Sequence, residues 1–298
     1  PDAIYGARNV ALKAGVPKSK PALTVNRLCG SGIQSILSGA HAILLEAETT
    51  CLVGGMESMS QAPHCIWGAR KGFRLGQGKL EDLLMVSLYD PYCGCFMAQT
   101  SNNLANDYGI SRREQDEFAL RSQQLAAAAW QSGRLAEEIV PVEVGRGKRK
   151  KVVERDEHMR EETNLEELAA LPPVFGEDSY VTAGNASGIV DGAAMMVLTT
   201  DEGILGRSER PLGRLLSWAT VGVEPSRMGI GPAPAIAKAL ERAGMTIDDL
   251  DLFEINEAFA GQILAVVREM DLDTTKLNVN GGAIALGHPL GATGTRLV

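Results

Sequence analysis

The chain has 298 residues, of which 45% are hydrophobic and 22% charged, and its formal net charge is -8. These values describe a globular chain, exclude a disordered or fibrous one, and argue against nucleic acid as the main partner. No apolar run is long enough to span a membrane and no signal peptide is visible, so we expect a cytoplasmic protein without a membrane partner. The five cysteines lack scaffold or zinc-site spacing, which indicates free thiols and no metal site.

The first predicted elements form a strand, helix and strand. An amphipathic helix is predicted over residues 1–15, and the β-rich run Leu23–Val25 then leads to Asn26 and a glycine-rich turn. Apolar residues at helical spacing follow, and a short buried strand is predicted over Thr50–Val53. The spacing predicts a parallel unit with a right-handed crossover. Such a sheet would need earlier strands, so we expect the sequence to be part of a longer protein.

The pattern changes between residues 61 and 180. Helices there are mixed with short polar strands, which is typical of an insertion that covers a site. Ser111 and Glu114 form a capping box that predicts a helix ending at Gln131, and Asn164 is predicted to cap a second helix.

Strand and helix patterns alternate again in the last third of the chain. Residues 181–210 return to sheet character, and a new unit begins near residue 211 with a predicted strand over Leu212–Val221. Further strands are predicted at Leu252–Ile255 and Leu277–Val279, with a helix between them. This alternation predicts a parallel sheet with helices on both faces.

Reactive residue types occur in strand-to-helix turns. Cys29 precedes a glycine-rich helix start whose free N–H groups and positive dipole end favour the nucleophilic thiolate, although a buried structural cysteine fits the same pattern. His288 lies in a glycine loop, where it is either a surface residue or a general base and oxyanion donor. Asn256 either caps a helix or holds a water or substrate oxygen. Together they predict acyl transfer through a cysteine thioester.

Five longer motifs, in this order along the chain, together resemble the thiolases. They are Asn26–Gly32, Gly54–Met59, Thr182–Gly188, Asn256–Ala260 and Gly281–Gly294. The resemblance implies an α/β protein with the thiolase fold, in which two similar α/β halves form an αβαβα sandwich with an inserted loop domain. The implied domains are an N-terminal half at 1–60, a loop domain over the coenzyme A site at 61–180, a return to the N-terminal half at 181–210, and a C-terminal half at 211–298.

The resemblance also implies residue roles. Cys29 would form an acyl-enzyme, and His288 would activate it and share an oxyanion hole with a water held by Asn256. The positions that match the family's pantetheine and acyl pocket are Ser187, Met228, Ala258 and Phe259, with Met97 and Arg160 matching less closely. It further implies coenzyme A thioesters as substrates, no permanently bound cofactor, and a homodimer or homotetramer.

Two features depart from the family pattern. The family's second catalytic cysteine lies in a C-terminal Cys-x-Gly motif, and the sequence ends at Val298 before such a motif, so we expect these 298 residues alone not to turn over. Phe96 stands where acetoacetyl-CoA-forming relatives often carry histidine, which leaves the preferred acyl chain length open.

The resulting expectation is an acetyl-CoA C-acetyltransferase, acting by Claisen condensation or by thiolysis of a 3-ketoacyl-CoA. The alternatives are a 3-ketoacyl-CoA thiolase of fatty-acid β-oxidation, and a non-catalytic paralogue that binds coenzyme A thioesters and lacks the second cysteine. A ketoacyl synthase is disfavoured because its cysteine pairs with two histidines, and His41, His64 and His158 lie outside matching motifs.

Overall fold

The computed structural model describes residues 2–205 and 210–298. Pro1, at the start of the first predicted helix, and residues 206–209, at the end of the predicted return segment, lie outside the described residues. The α-helices are α1 (Gly6–Lys13), α2 (Ser31–Leu44), α3 (Leu83–Ser87), α4 (Met97–Asp107), α5 (Arg112–Gln131), α6 (Leu165–Ala170), α7 (Asp201–Ile204), α8 (Pro232–Ala243), α9 (Ala260–Met270), α10 (Ala283–Leu286) and α11 (Leu290–Leu297).

The strands are short apart from the first and the last. They are β1 (Thr50–Ser58), β2 (His64–Ile66), β3 (Leu80–Asp82), β4 (Tyr89–Asp90), β5 (Cys95–Phe96), β6 (Val142–Val144), β7 (Lys151–Val153) and β8 (Asp191–Thr199). Short 3-10 segments cover Asp2–Tyr5, Met59–Gln61, Ala69–Lys71, Leu135–Glu137, Gly147–Arg149, Pro225–Ile230, Ile247–Asp249 and Thr274–Lys276. No helix in the described ranges is both long and apolar enough to cross a membrane.

The longest strands, β1 and β8, form an antiparallel pair. The register runs from Thr50 opposite Thr199 to Ser58 opposite Asp191. The predicted parallel strand-helix-strand unit is therefore wrong: within the described chain, residues 23–25 have no strand assignment and no strand partner. Spacing identified β1 correctly but could not identify its partner, because the return segment brings β8 to β1 from a distant part of the sequence.

Helix α2 and helix α11 both pack on β1 through glycines. A Cβ atom on Gly55 would lie 1.6 Å from the Gly291 carbonyl oxygen, and one on Gly32 would lie 2.4 Å from the Thr295 nitrogen. The Ser35 hydroxyl oxygen also accepts a hydrogen bond of 3.0 Å from the Gly54 N–H. Because side chains do not fit at these two crossings, α11 approaches both β1 and α2 backbone to backbone.

The predicted strands at 252–255 and 277–279 reduce to a single parallel bridge between Phe253 and Leu277. Beyond this bridge, Ile255 bonds to the side chain of Asn278 and not to a backbone partner. Asn278 Oδ1 accepts from the Ile255 N–H at 2.9 Å, and Asn278 Nδ2 donates to the Ile255 carbonyl at 2.8 Å. The Asn278 amide thus replaces a backbone partner and ends the strand. The predicted strand over 212–221 is also wrong, since this stretch has no strand assignment.

The helix predictions between 61 and 180 are confirmed. Ser111 caps α5 in a reciprocal box, with its backbone N–H donating to Glu114 Oε2 at 2.8 Å and its hydroxyl accepting from the Glu114 N–H. Asn164 caps α6 through its Oδ1, which accepts from the Glu167 N–H at 3.0 Å. Local side-chain chemistry fixed both starts, which is why sequence alone could locate them.

The main core lies between α5 and α9 and beneath the short 253/277 bridge. Its buried members are Phe118, Ala119, Leu168, Phe253, Ile255, Ala260, Ile263, Val266, Leu272, Leu277 and Ile284. The segments that leave this core, at 256–259 and 278–289, carry Asn256 and His288. The core therefore holds the candidate site residues on rigid supports.

Candidate active site

Cys29 lies in a tight turn immediately before α2. Asn26 Oδ1 accepts from the Leu28 N–H at 2.8 Å, and Leu28 has a left-handed backbone with φ of 48°. The Ser31 hydroxyl accepts from the Arg27 N–H at 2.8 Å and donates to the Leu28 carbonyl at 2.7 Å. These hydrogen bonds hold the turn together and fix the half-buried Cys29 at the N-terminus of α2.

The predicted preference of Cys29 for the thiolate form is wrong. Burial raises the pKa of the Cys29 thiol to about 11, and the negative charge of Glu57 adds a smaller increase. A hydrogen bond from the backbone of Cys29 itself lowers the pKa but does not outweigh burial. Near neutral pH the resting group is therefore the thiol, so nucleophilic attack by Cys29 requires a base.

His288 is buried, with 5% of its surface exposed, and its position is fixed at the backbone. Its N–H donates to the Gly188 carbonyl at 3.0 Å. Gly287, which precedes it, has φ of 92° and lies so close to Val190 that a Cβ atom would come within 2.5 Å of that side chain. A residue with a side chain could not make this turn without displacing the loop.

The hydrogen bonds of Thr293 determine the tautomer of His288. The Thr293 hydroxyl donates to the Pro289 carbonyl at 3.1 Å, so its oxygen accepts the 2.7 Å hydrogen bond from His288 Nδ1–H. The lone pair of the neutral ring then lies on Nε2. Burial lowers the pKa of His288 to about 4, which keeps the ring neutral near pH 7. His288 Nε2 is consequently available as a base.

Asn256 lies next to the basic nitrogen of His288. Its Nδ2 is 3.3 Å from His288 Nε2, and since Nε2 carries the lone pair, the amide donates. Asn256 Oδ1 is buried and has no hydrogen-bond partner among the described residues. A buried amide oxygen of this kind suits a donor supplied by a ligand or water. The predicted pairing of Asn256 with His288 is therefore present in the geometry.

Glu57 lies between the Cys29 turn and the His288 loop. Its Oε2 accepts from the Gly291 N–H at 3.1 Å, three residues after His288, and its charge raises the pKa of Cys29. No direct hydrogen bond joins Cys29 to His288 in the part of the chain that the structure describes. Glu57 thus contacts the helix that follows His288 through Gly291 and acts on Cys29 through its charge.

Glu257 follows Asn256 in the chain and supports the site through buried hydrogen bonds. The sequence predicted no role for it. It is fully buried and accepts from Ser122 Oγ at 2.7 Å, Asn278 Nδ2 at 2.8 Å and the Ile284 N–H at 3.2 Å. Burial raises the pKa of this carboxyl group. The signal that could have identified Glu257 is an acidic residue directly before the apolar residues Ala258 and Phe259, where burial is expected.

His158 also lies behind the His288 loop. A Cβ atom on Gly188 would come within 2.2 Å of the His158 ring, and the Gly188 carbonyl is the acceptor for the His288 N–H. Burial lowers the pKa of His158, which favours its neutral form. In the sequence His158 lies outside the matching motifs, so its contact with the segment that supports His288 could not be predicted.

Three of the predicted pocket residues adjoin the Asn256 turn. The Ser187 N–H donates to the Ala258 carbonyl at 3.0 Å, and Ala186 forms an antiparallel bridge with Phe259. Ser187, Ala258 and Phe259 are half-buried. Ser187, Ala258 and Phe259 therefore lie beside the segments that carry Asn256 and His288.

The other predicted pocket residues lie on neighbouring elements. Met97 begins α4, and Met228 lies in the 3-10 segment whose Gly229 carbonyl accepts from Gln262 Nε2 of α9 at 3.2 Å. Arg160 is exposed, and its N–H donates to Gln123 Oε1 at 2.8 Å. Among the described residues no cluster of three or more His, Cys, Asp or Glu could hold a metal ion.

Comparison with known proteins identifies the family of this chain. The family model of the thiolase N-terminal domain matches residues 2–202, and that of the thiolase C-terminal domain matches residues 209–298. The chain is 52% identical to human "3-ketoacyl-CoA thiolase, mitochondrial" over 297 residues, covering 99% of this chain and 75% of that protein. It is 47% identical to the "Acetyl-CoA acetyltransferase" of Cupriavidus necator, covering 98% of this chain and 75% of the relative.

Solved structures agree with the sequence comparison. The crystal structure of human mitochondrial 3-ketoacyl-CoA thiolase in complex with CoA matches with a TM-score of 0.96 at 51% identity, covering 99% of this chain and 74% of that one. The acetyl-CoA acetyltransferase of Bacillus anthracis matches with a TM-score of 0.94 at 44% identity, covering 98% and 74% of the two chains. The chain adopts the predicted α/β thiolase fold and belongs to the thiolase family.

Proposed function

We propose that Cys29 carries the acyl group in the thiolase reaction of this chain, with His288 as its base. Family membership makes the chain an acyltransferase that acts on coenzyme A thioesters. The observation that supports the residue assignment is the pair of contacts of the His288 ring, with Nδ1 2.7 Å from the Thr293 hydroxyl oxygen and Nε2 3.3 Å from Asn256 Nδ2. Thr293 holds the proton on Nδ1, which leaves the lone pair on Nε2, the nitrogen that faces Asn256.

The proposed first half of the reaction follows from the protonation states. His288 Nε2 takes the proton from the Cys29 thiol as the sulfur attacks the thioester carbonyl carbon. The high pKa of Cys29 and the low pKa of His288 disfavour a resting ion pair, so proton transfer accompanies attack. The bond from that carbon to the coenzyme A sulfur then breaks, and the imidazolium returns its proton to the leaving thiolate. The protonated His288 and a water held by Asn256 share the developing oxyanion.

In the second half, the acyl group leaves Cys29 for an acceptor. Claisen condensation uses acetyl-CoA as acceptor, whose α-proton would pass to the second cysteine that the family carries in its C-terminal Cys-x-Gly motif. The last step of thiolysis uses coenzyme A, whose thiol proton would pass to the same cysteine, and in both cases the bond from the acyl carbon to the Cys29 sulfur breaks. Our leading assignment is acetyl-CoA C-acetyltransferase, and the alternative is a 3-ketoacyl-CoA thiolase of fatty-acid β-oxidation. Relatives with both names match at similar identity, so comparing rates on acetoacetyl-CoA and a long-chain 3-ketoacyl-CoA distinguishes the two.

The acyl-enzyme is tested by mass. Incubation with acetyl-CoA should add one acetyl group to the chain, and Cys29→Ser should abolish the adduct. Cys51→Ser is the matched control, because Cys51 is also a half-buried free thiol and should leave the adduct unchanged. An adduct that survives in Cys29→Ser would refute the assignment of Cys29. Absence of an adduct from the unchanged chain would favour a non-catalytic binder of coenzyme A thioesters.

The binding site for coenzyme A and the assembly are further proposals. We place the acyl and pantetheine groups along Ser187, Ala258 and Phe259, with Met97, Met228 and Arg160 on the adjacent elements and residues 61–180 covering them. A homodimer or homotetramer is proposed by family likeness, and light scattering of the purified chain tests it. A cytoplasmic location stays a prediction; the human and bovine relatives are named as mitochondrial.

A further inference from the structure

Two cysteines lie together at the tip of the β4–β5 hairpin. Asp90 of β4 pairs with Cys95 of β5, and the Gly94 N–H donates to the Asp90 carbonyl at 2.9 Å. Gly94 has φ of 70°, which turns the chain sharply between Cys93 and Cys95. A disulfide requires α-carbons roughly 4.4–6.8 Å apart, and the turn at Gly94 folds the chain back between the two cysteines.

The Cys95 side chain turns back toward Cys93. Its thiol donates to the Cys93 carbonyl at 3.5 Å, so the Cys95 sulfur lies across the turn from the Cys93 backbone. Burial is the main cause that raises the pKa of Cys93, and the neighbouring Cys95 adds to the increase. Both residues are free and half-buried, and the other cysteines (Cys29, Cys51 and Cys65) lie on separate elements.

A cavity gives small molecules access to Cys95 of this pair. It has a volume of about 290 Å³ and is lined by Cys95, Gln99 and Phe175, among others. Phe96, which follows Cys95, packs its ring 5.0 Å from the Tyr89 ring and 5.1 Å from the Phe175 ring, measured between centroids. The hairpin tip is therefore connected directly to the first residue of α4.

We propose that Cys93 and Cys95 form a reversible redox pair that closes to a disulfide when the protein meets a peroxide. The Cys95 thiolate, on the cavity side, attacks one peroxide oxygen; the O–O bond breaks, and water leaves with the thiol proton, giving a sulfenic acid. The Cys93 sulfur then attacks the Cys95 sulfur, the S–O bond breaks, and a second water leaves. The two thiols lose two electrons in total, and one hydrogen peroxide is reduced to two waters.

Formation of the Cys93–Cys95 disulfide is expected to affect the proposed coenzyme A site at Met97. Met97 begins α4 two residues after Cys95, and a disulfide would restrict the hairpin end that Phe96 anchors. This effect on substrate use rests on the proposed function, whereas formation of the disulfide does not. The small ring spans one residue and adds little loop-closure stabilisation, so thiol reductants should reopen it readily.

Peptide mapping of the whole chain tests the proposal. After brief treatment with hydrogen peroxide, blocking with N-ethylmaleimide and digestion, the peptide with Cys93 and Cys95 should be unblocked and lighter by two hydrogen atoms. Dithiothreitol should reverse this. Cys93→Ser and Cys95→Ser should each abolish the unblocked peptide, and Cys65→Ser is the matched control that should leave it unchanged.

Three results would overturn parts of the inference. Blocking of both cysteines after peroxide treatment would rule out the disulfide. Equal rates of closure in the native chain and in urea would show that the fold does not preorganise the pair. If the oxidised chain needs the same acetyl-CoA concentration for half-maximal Cys29 acylation as the reduced one, within twofold, the disulfide is not coupled to the pocket. Failure of the proposed function alone leaves the mapping result unaffected.

Discussion

Replacing Thr293 by valine removes one hydroxyl group and tests how His288 is held in its basic form. Valine has nearly the same shape as threonine, so packing around the 5% exposed Thr293 should change little. The Nδ1–H of His288 would lose its acceptor at 2.7 Å, and solvent replaces it poorly because the ring is also 5% exposed. The ring must then either bury an unpaired donor or move its proton to Nε2.

Both outcomes weaken the base. A buried unsatisfied donor costs about 1–3 kcal/mol, which corresponds to a rate loss of roughly 5- to 150-fold if the cost falls on the reactive tautomer. With the proton on Nε2, the lone pair no longer faces the Asn256 amide, and proton abstraction from Cys29 stops until the ring reverts. We therefore expect Thr293→Val to slow acylation within that range.

The assay is the rate of acetyl addition to Cys29, measured by acid quenching and intact mass at saturating acetyl-CoA. Thr293→Ser keeps the hydroxyl and is the matched control, expected within about threefold of the unchanged chain because the hydrogen bond can re-form. Urea unfolding checks that both variants are folded. Equal acylation rates in Thr293→Val and Thr293→Ser, with both folded, would show that Thr293 does not set the tautomer of His288.

Three further predictions concern the same region. Iodoacetamide alkylation of Cys29 should rise about tenfold per pH unit between pH 7 and 10 without a plateau, because its thiol pKa is about 11; a plateau near pH 7 would contradict this. The pKa of His288 falls from 6.5 to about 4 on folding, so the unfolded chain binds this proton first as the pH falls. The free energy of unfolding should therefore drop by on the order of 3 kcal/mol between pH 6.5 and pH 4. In urea unfolding, His288→Asn should show a flatter dependence on pH. Gly55→Ala should cost about 3 kcal/mol or more, since its Cβ atom would overlap the Gly291 carbonyl, whereas Gly222→Ala, with nothing within 4 Å, should be close to neutral by the same measurement.

Elements with local signals could be predicted from the sequence. The capping box at Ser111, the Asn164 cap and the apolar run of β8 all encode their structure within a few residues, and all were found. Long motifs likewise pointed to Cys29, Asn256 and His288 as site residues. These signals are short-range, so they do not depend on which distant segment becomes the neighbour.

Features that depend on distant partners could not be predicted. Pairing of β1 with β8 joins segments about 140 positions apart, and no pattern within either strand indicates its partner. The pKa of Cys29 was misjudged because the helix end is visible in sequence, whereas burial and the charge of Glu57 arise only on folding. Glu257 was missed for the same reason, since its partners Ser122 and Ile284 come from two other segments.

The Asn278 side chain has a consequence for how the site can be monitored. The Ile255 N–H is bonded to Asn278 Oδ1, and the same amide donates to Glu257 Oε1. Hydrogen–deuterium exchange at Ile255 therefore reports whether one amide group keeps its place, and not whether a sheet is intact. Slow exchange there would indicate that the loop leading to His288 is held in position, and a ligand that tightens this loop would slow it further.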